Sequence, residues 1–169
     1  MAQALKDGAR GAVVSEVPEG VPADRCILVP DTLEAYQKIA SRYRLDKKGL
    51  TVIAITGSNG KTSTKDCIAA VLGEKYRVIK TQANFNNEIG LPKTLLTIRE
   101  DTEMAVVEMG MRGLGQIRAM KHIAVPDAAV ITNVGDTHLE LLGSLENIAK
   151  AKSESWRILR PKTMPFERG

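Results

Sequence analysis

The sequence predicts an α/β fold built on a parallel sheet and preceded by a smaller α/β piece. Three observations predict it. From Thr51 onward, short apolar runs alternate with stretches of helical periodicity. Three of those runs, Thr51 to Ile55, Met104 to Val107 and Ala128 to Ile131, are almost continuously apolar, as strands covered on both faces must be. Between the first run and the helix that follows it lies Thr56-Gly57-Ser58-Asn59-Gly60-Lys61-Thr62-Ser63, the layout of a phosphate-binding loop.

The elements follow in order. Gly11 to Val14 and Cys26 to Val29 read as strands, with Pro18, Gly20 and Pro22 in the loop between them. Asp31 and Glu34 mark a helix start, and Leu33, Tyr36, Ile39, Ala40 and Tyr43 recur at core-facing spacing. The charged segment Arg44 to Gly49 reads as a linker. Beyond it the pattern predicts strand 51–55, helix 61–74, strand 76–80, helix 91–98, strand 103–108, helix 114–122, strand 128–132 and helix 144–159.

A chain of 169 residues with 43% hydrophobic content is long enough for one domain with a real core. No apolar run reaches the ~20 residues that span a bilayer, and Met1 to Lys6 lacks a signal-peptide core, so a cytoplasmic protein without membrane insertion is expected. The net charge of +4 arises from 24 basic and 20 acidic residues scattered along the chain, with 4% aromatics. That balance suits a polyphosphate ligand and argues only weakly for nucleic acid, so no nucleic-acid partner is expected. Cys26 and Cys67 are spaced for neither zinc nor a redox pair and are expected to be buried free thiols.

In an open parallel sheet, ligands lie beyond the carboxyl ends of the strands, so the segments after each strand hold the candidate residues. In the first, Gly57, Ser58, Asn59 and Gly60 turn the backbone toward an anion, Lys61 brings a point charge, and Thr62, followed by Ser63, brings a hydroxyl for magnesium. The loop departs from G-x-x-x-x-G-K-[ST], since Ile55 stands five before Gly60 and the first glycine is Gly57. Glu108 ends a strand where a nucleotide enzyme of this topology places a metal-holding carboxylate. Asn84, Asn86, Asn87 and Glu88 crowd another such loop, where turn chemistry or a substrate would each explain them. His138 is a candidate metal ligand or phosphate partner, Asp136 a weaker one, and His122 is structural. From spacing alone Lys152, with Lys150, Arg157 and Arg160, reads as a basic exposed face.

Taken together, the phosphate loop, Asn84 to Pro92, Glu108 to Ile117, Ile131 to Glu140 and Gly143 to Lys152 resemble, in order, the ATP-dependent Mur ligases of peptidoglycan synthesis. The resemblance covers roughly 51–154. It implies ligation of D-alanyl-D-alanine to UDP-N-acetylmuramoyl-tripeptide through an acyl phosphate. By it, Lys61 contacts the β- and γ-phosphates of ATP, Thr62 and Glu108 belong to magnesium sites, and His138 serves a second Mg2+. Asn84, Asn86 and Asn87 face the muramoyl-peptide. Lys152 matches a carbamylated lysine, which replaces the exposed-face reading.

The resemblance also implies that residues 1–49 are the end of an N-terminal, UDP-substrate-binding domain. Residues 50–169 are then part of the central ATP-binding domain, and the C-terminal ligase domain is absent. After Pro161 the segment Lys162 to Gly169 lacks the expected strand pattern, which reads as a truncated or frameshifted gene. An incomplete sheet edge is expected to promote association. Two other readings stay open: a catalytically inactive ATP-binding remnant, and a ligase related to folylpolyglutamate synthase, which the Asn84 and Glu108 segments suit less well.

Overall fold

The computed structural model describes residues 1–135 and 143–154. The chain divides into two compact units, Met1–Ile39 and Ala40–Gly169. The first contains helix α1 (Ala2–Lys6), which the sequence pattern does not announce, and strands β1 (Ala12–Val14) and β2 (Cys26–Leu28). The two strands pair in parallel with Ala12 opposite Cys26. Helix α2 (Thr32–Asp46) starts where Asp31 Oδ1 accepts hydrogen bonds from the amides of Leu33 (2.8 Å) and Glu34 (2.9 Å).

The division falls earlier than the sequence suggests, and Arg44 to Gly49 is no linker. Helix α2 continues through Asp46, and Arg44 is 6% exposed. Its guanidinium donates to Asp127 Oδ2 at 2.7 Å and to the carbonyl of Ala124 at 3.1 Å. Asp127 also accepts the amide of Val52 at 2.8 Å, so one buried ion pair ties the end of α2 to the start of the sheet. Composition cannot distinguish a solvated arginine from one that finds its carboxylate far along the chain.

The second unit carries strands β3 (Thr51–Thr56), β4 (Val78–Lys80), β5 (Met104–Glu108) and β6 (Ala128–Ile131). All pair in parallel in the order β4-β5-β3-β6. Helices α3 (Lys61–Gly73), α4 (Gly90–Leu95), α5 (Gln116–Ala124) and α6 (Leu145–Ser153) connect or follow them. Val52 and Ala54 of β3 pack with Leu95, Ile117 and Ile148 on one face, whereas Ile55 and Val106 meet Ala69 of α3 on the other. Both faces are therefore covered, which is why the strands are apolar throughout.

Several boundaries differ from the sequence pattern. β4 begins after Tyr76 because the amide of that residue is bonded to Leu72 O at 2.9 Å, closing α3. α4 stops at Leu95, after which Thr97 and Ile98 take tighter i to i−3 bonds. α5 starts and ends two residues later than predicted, between left-handed Gly115 (φ 83°) and Val125 (φ 42°). The predicted helix 144–159 is seen as α6, capped by Ser144 Oγ accepting from Asn147 N–H and ending at Ser153 with Glu154 as its C-cap, and residues 155–159 lie outside the described residues. Cys67 is exposed and Cys26 half-buried, not the buried thiols expected. Ile68, Ala69 and Leu72 take the sheet-facing positions of α3 and leave Cys67 outside them.

Because β5 and β6 flank β3 while the chain visits β4 first, the strand order reverses around β3. The loops after β3, β5 and β6 therefore converge at one end of the sheet, the switch point of this topology.

Arg44→Met removes the guanidinium that is ion-paired with Asp127, whose side chain is 9% exposed. It is expected to lower unfolding free energy by about 3 kcal/mol in urea titration. A loss under about 1 kcal/mol would place the pair with exposed ion pairs.

Candidate functional site

Strand β3 ends in Thr56, and Gly57 follows with φ 149°. A Cβ on Gly57 would lie 1.9 Å from Thr132 Oγ1, so only glycine lets the loop pass the residue after β6. Gly60, at φ 76°, caps α3 in the left-handed conformation. The loop is clamped from β6: Ser58 N–H donates to Asn133 O (3.1 Å), Asn59 N–H to Asn133 Oδ1 (2.9 Å), and Thr132 O–H to Asn59 O (2.6 Å). Ser58 Oγ further accepts the amide of Gly135 at 2.8 Å. The first amides of α3, from Lys61 to Ser63, precede the helix's first bond, Thr64 N–H to Gly60 O, and have no intrahelical acceptor. An anion at this end meets those donors and the positive helix terminus. Lys61 Nζ folds over the loop and donates to Gly57 O (2.9 Å) and Ser58 O (3.2 Å).

Glu108 stands at the end of β5, 3% exposed, and is held on all sides. Thr62 O–H donates to Oε2 and Asn86 Nδ2 to Oε1, each at 2.9 Å. Its own amide donates to Thr81 Oγ1 at 2.9 Å. Thr81 is fixed in turn by the 3% exposed Lys65, whose Nζ donates to Thr81 O at 2.9 Å. A carboxylate and a hydroxyl set together at a helix N-terminus are hard oxygen donors of the kind magnesium takes.

The asparagine loop divides by role. Asn86 reaches Glu108, and its carbonyl accepts Gly110 N–H at 2.8 Å. Asn87 Oδ1 is taken by the amides of Gly90 (2.8 Å) and Ile89 (3.2 Å), so that oxygen starts α4. A cleft of about 470 Å3 opens between this loop and the start of α3, lined by Lys61, Asn84, Asn86, Asn87, Glu88 and Arg112. Sequence reasoning passed over Arg112, Lys65, Thr132 and Asn133. Arg112 lies between two glycines after a strand, and Thr132-Asn133 directly follows another, and those positions are the signal available beforehand.

Lys152, on α6, is 1% exposed, the opposite of a solvated basic face. Burial, and after it the positive charge of Lys61, pull its ammonium down to about 8. Ser63 is exposed at the start of α3. His138 and Asp136 lie outside the described residues. His122 is exposed at the end of α5, its carbonyl accepting Ser41 O–H. Thr56 Oγ1 is the buried side-chain oxygen without a hydrogen-bond partner among the described residues.

Residues 55–162 match the family model of the Mur ligase middle domain. The chain belongs to the Mur ligase family. It is 56% identical over 138 residues to UDP-N-acetylmuramoyl-tripeptide--D-alanyl-D-alanine ligase of Bacillus subtilis, covering 82% of this chain and 30% of that protein. It is 50% identical to the ligase of the same description from Synechocystis, covering 90% of this chain and 34% of the other. Among solved structures, MurF from Acinetobacter baumannii superimposes with a TM-score of 0.89 at 34% identity, covering 95% of this chain and 35% of that one. The MurF ligase of Thermotoga maritima in complex with ADP gives 0.83 at 37%, covering 91% and 35%. The chain spans about a third of the length of these relatives. These likenesses establish the Mur ligase middle domain and its parallel-sheet fold.

In this Mur ligase domain, Lys152 titrates at about 8 when folded and 10.5 ordinarily. Between those values the unfolded chain holds a proton that the native chain has lost, so stability from this group rises with pH. Measured by urea denaturation at pH 7 and pH 10.5, wild type is expected to gain on the order of 3 kcal/mol relative to Lys152→Met. An unchanged difference would show that Lys152 is not desolvated.

Proposed function

We propose that this chain is the ATP-binding part of a ligase that joins D-alanyl-D-alanine to UDP-N-acetylmuramoyl-tripeptide in the cytoplasm. The observation that carries the reading is the Thr62–Glu108–Asn86 cluster, whose Asn86 lines the same asparagine-rich cleft as Lys61. The names of the relatives, which print these two substrates, support that choice of substrates. The reaction class is activation of a carboxylate as an acyl phosphate, followed by attack of an amine.

Carboxylate and triphosphate repel one another, so the site must supply positive charge where they meet. Lys61 is placed for that task, along with the first amides of α3. In exchanging its loop carbonyls for phosphate oxygens, Lys61 moves a charge already poised over the loop. Thr62 and Glu108 fit one Mg2+, and His138 serves a second by family resemblance. Bound there, the metal neutralises phosphate charge. Asn86 keeps Glu108 oriented, while Asn84 and Arg112 offer the cleft an amide and a cation for the muramoyl-peptide.

Lys152 fits the carbamate that the resemblance implies. Its amine is sheltered from water, and its lowered proton affinity makes the neutral form available near neutral pH. The nitrogen lone pair attacks CO2, an N–C bond forms, one C=O electron pair moves to oxygen, and the displaced N–H proton goes to solvent. A cation beside Lys61 thereby becomes an anion, which relieves the repulsion between the two lysines.

Calorimetric titration of the chain with magnesium-ATP, beside Lys61→Ala, tests the proposal. Wild type is expected to bind, and the variant to lose at least about tenfold in affinity, as for a hydrogen bond to a charged group. A folded wild type that binds no nucleotide would overturn it. Phosphate release with both peptide substrates then separates ligation from nucleotide binding alone.

A further inference from the structure

Thr56 is 1% exposed, and its hydroxyl has no partner among the described residues. A buried unsatisfied hydroxyl costs stability, and a valine of the same shape would avoid that cost. The hydroxyl therefore needs a reason to be there.

Its direction supplies one. Side chains alternate along β3: Ile53 and Ile55 face α3, while Val52 and Ala54 face the layer that contains Ile148 and Ala151 of α6. Thr56, next in that alternation, faces the α6 side at the carboxyl end of the strand. Lys152 follows Ala151 directly, is 1% exposed, and lies near enough to Lys61 to feel its charge. The same end of the same layer thus holds a buried lysine and an uncommitted buried hydroxyl.

We propose that the Thr56 hydroxyl is a positioning group for a carbamate on Lys152, donating its hydrogen to one carbamate oxygen. The inference rests on the carbamate reading given above. The carbamate oxygens require donors in a site sheltered from water, and the hydroxyl requires an acceptor, so each satisfies the other. A threonine suits the task because it carries both a methyl group, compatible with an apolar layer, and a hydroxyl that can donate. Formation of the carbamate would also explain how a strand buried on both faces tolerates a polar side chain at this position.

The test uses the full chain with 13C-labelled bicarbonate at pH 8, reading the carbamate carbon by NMR. Lys152→Ala identifies the signal. Thr56→Val is expected to require about tenfold more bicarbonate for the same occupancy, the size of one hydrogen bond to a charged group. Thr56→Ser is expected to stay near wild type. Without bicarbonate, Thr56→Val is expected to melt at or above the wild-type temperature, which a merely structural hydroxyl bond would not allow. If the valine variant does not fold, Thr56→Ser and Thr56→Ala, which differ only in the hydroxyl, make the same comparison. Wild-type occupancy in the hydroxyl-free variant overturns the role of Thr56 and leaves the carbamate standing. Absence of any Lys152-dependent signal in wild type removes the carbamate itself, and the role of Thr56 with it.

Discussion

A carboxylate buried at the end of a strand needs hydrogen bonds in place of the water it has lost, and Glu108 is that carboxylate here. Its partners come from separate parts of the chain. Thr62 arrives from the first turn of α3, Asn86 from the loop after β4, and Thr81 receives the amide of Glu108 itself. Satisfying one residue therefore fixes a helix terminus, a loop and two strands relative to one another. Lys65 extends the arrangement by fixing the carbonyl of Thr81.

Around that anion the unit gathers cations that are hard to bury. Lys61 is supported by two loop carbonyls, and Lys65 by Thr81 O and Asp66. Lys152 is the most deeply placed, and burial lowers its proton affinity. Concentrated positive charge at the switch point of a parallel sheet suits a ligand that carries several negative charges, and the outward amides of α3 act in the same sense. At the opposite end of the sheet, Arg44 and Asp127 bury a pair of charges that satisfy each other and the amide of Val52. One end of the sheet is closed by an ion pair, and the other gathers Lys61, Lys65 and Lys152.

Local pattern and composition identified the parallel sheet and located the glycine-bearing turn after β3 and the carboxylate at the end of β5, because each depends on neighbours in sequence. Apolar runs mark strands buried on both faces, and two glycines before a lysine mark a backbone turned toward an anion. The same information placed Cys67 indoors and treated Arg44 as part of a linker, since it carries no knowledge of which helix face meets the sheet or which distant partner a charge will find.

Tertiary structure decided the rest. That Gly57 must be glycine depends on Thr132, which reaches it only because β6 lies beside β3. That Asn86 serves Glu108 while the side-chain oxygen of Asn87 caps α4 depends on where the loop crosses the end of β5. Lys152 reads in sequence as one of several basic residues on a helix, and becomes distinctive only when α6 packs it against the sheet near Lys61. Periodicity records which way a side chain faces within its own element, whereas burial, partnership and proton affinity are set by other elements, and these exist only once the chain has folded.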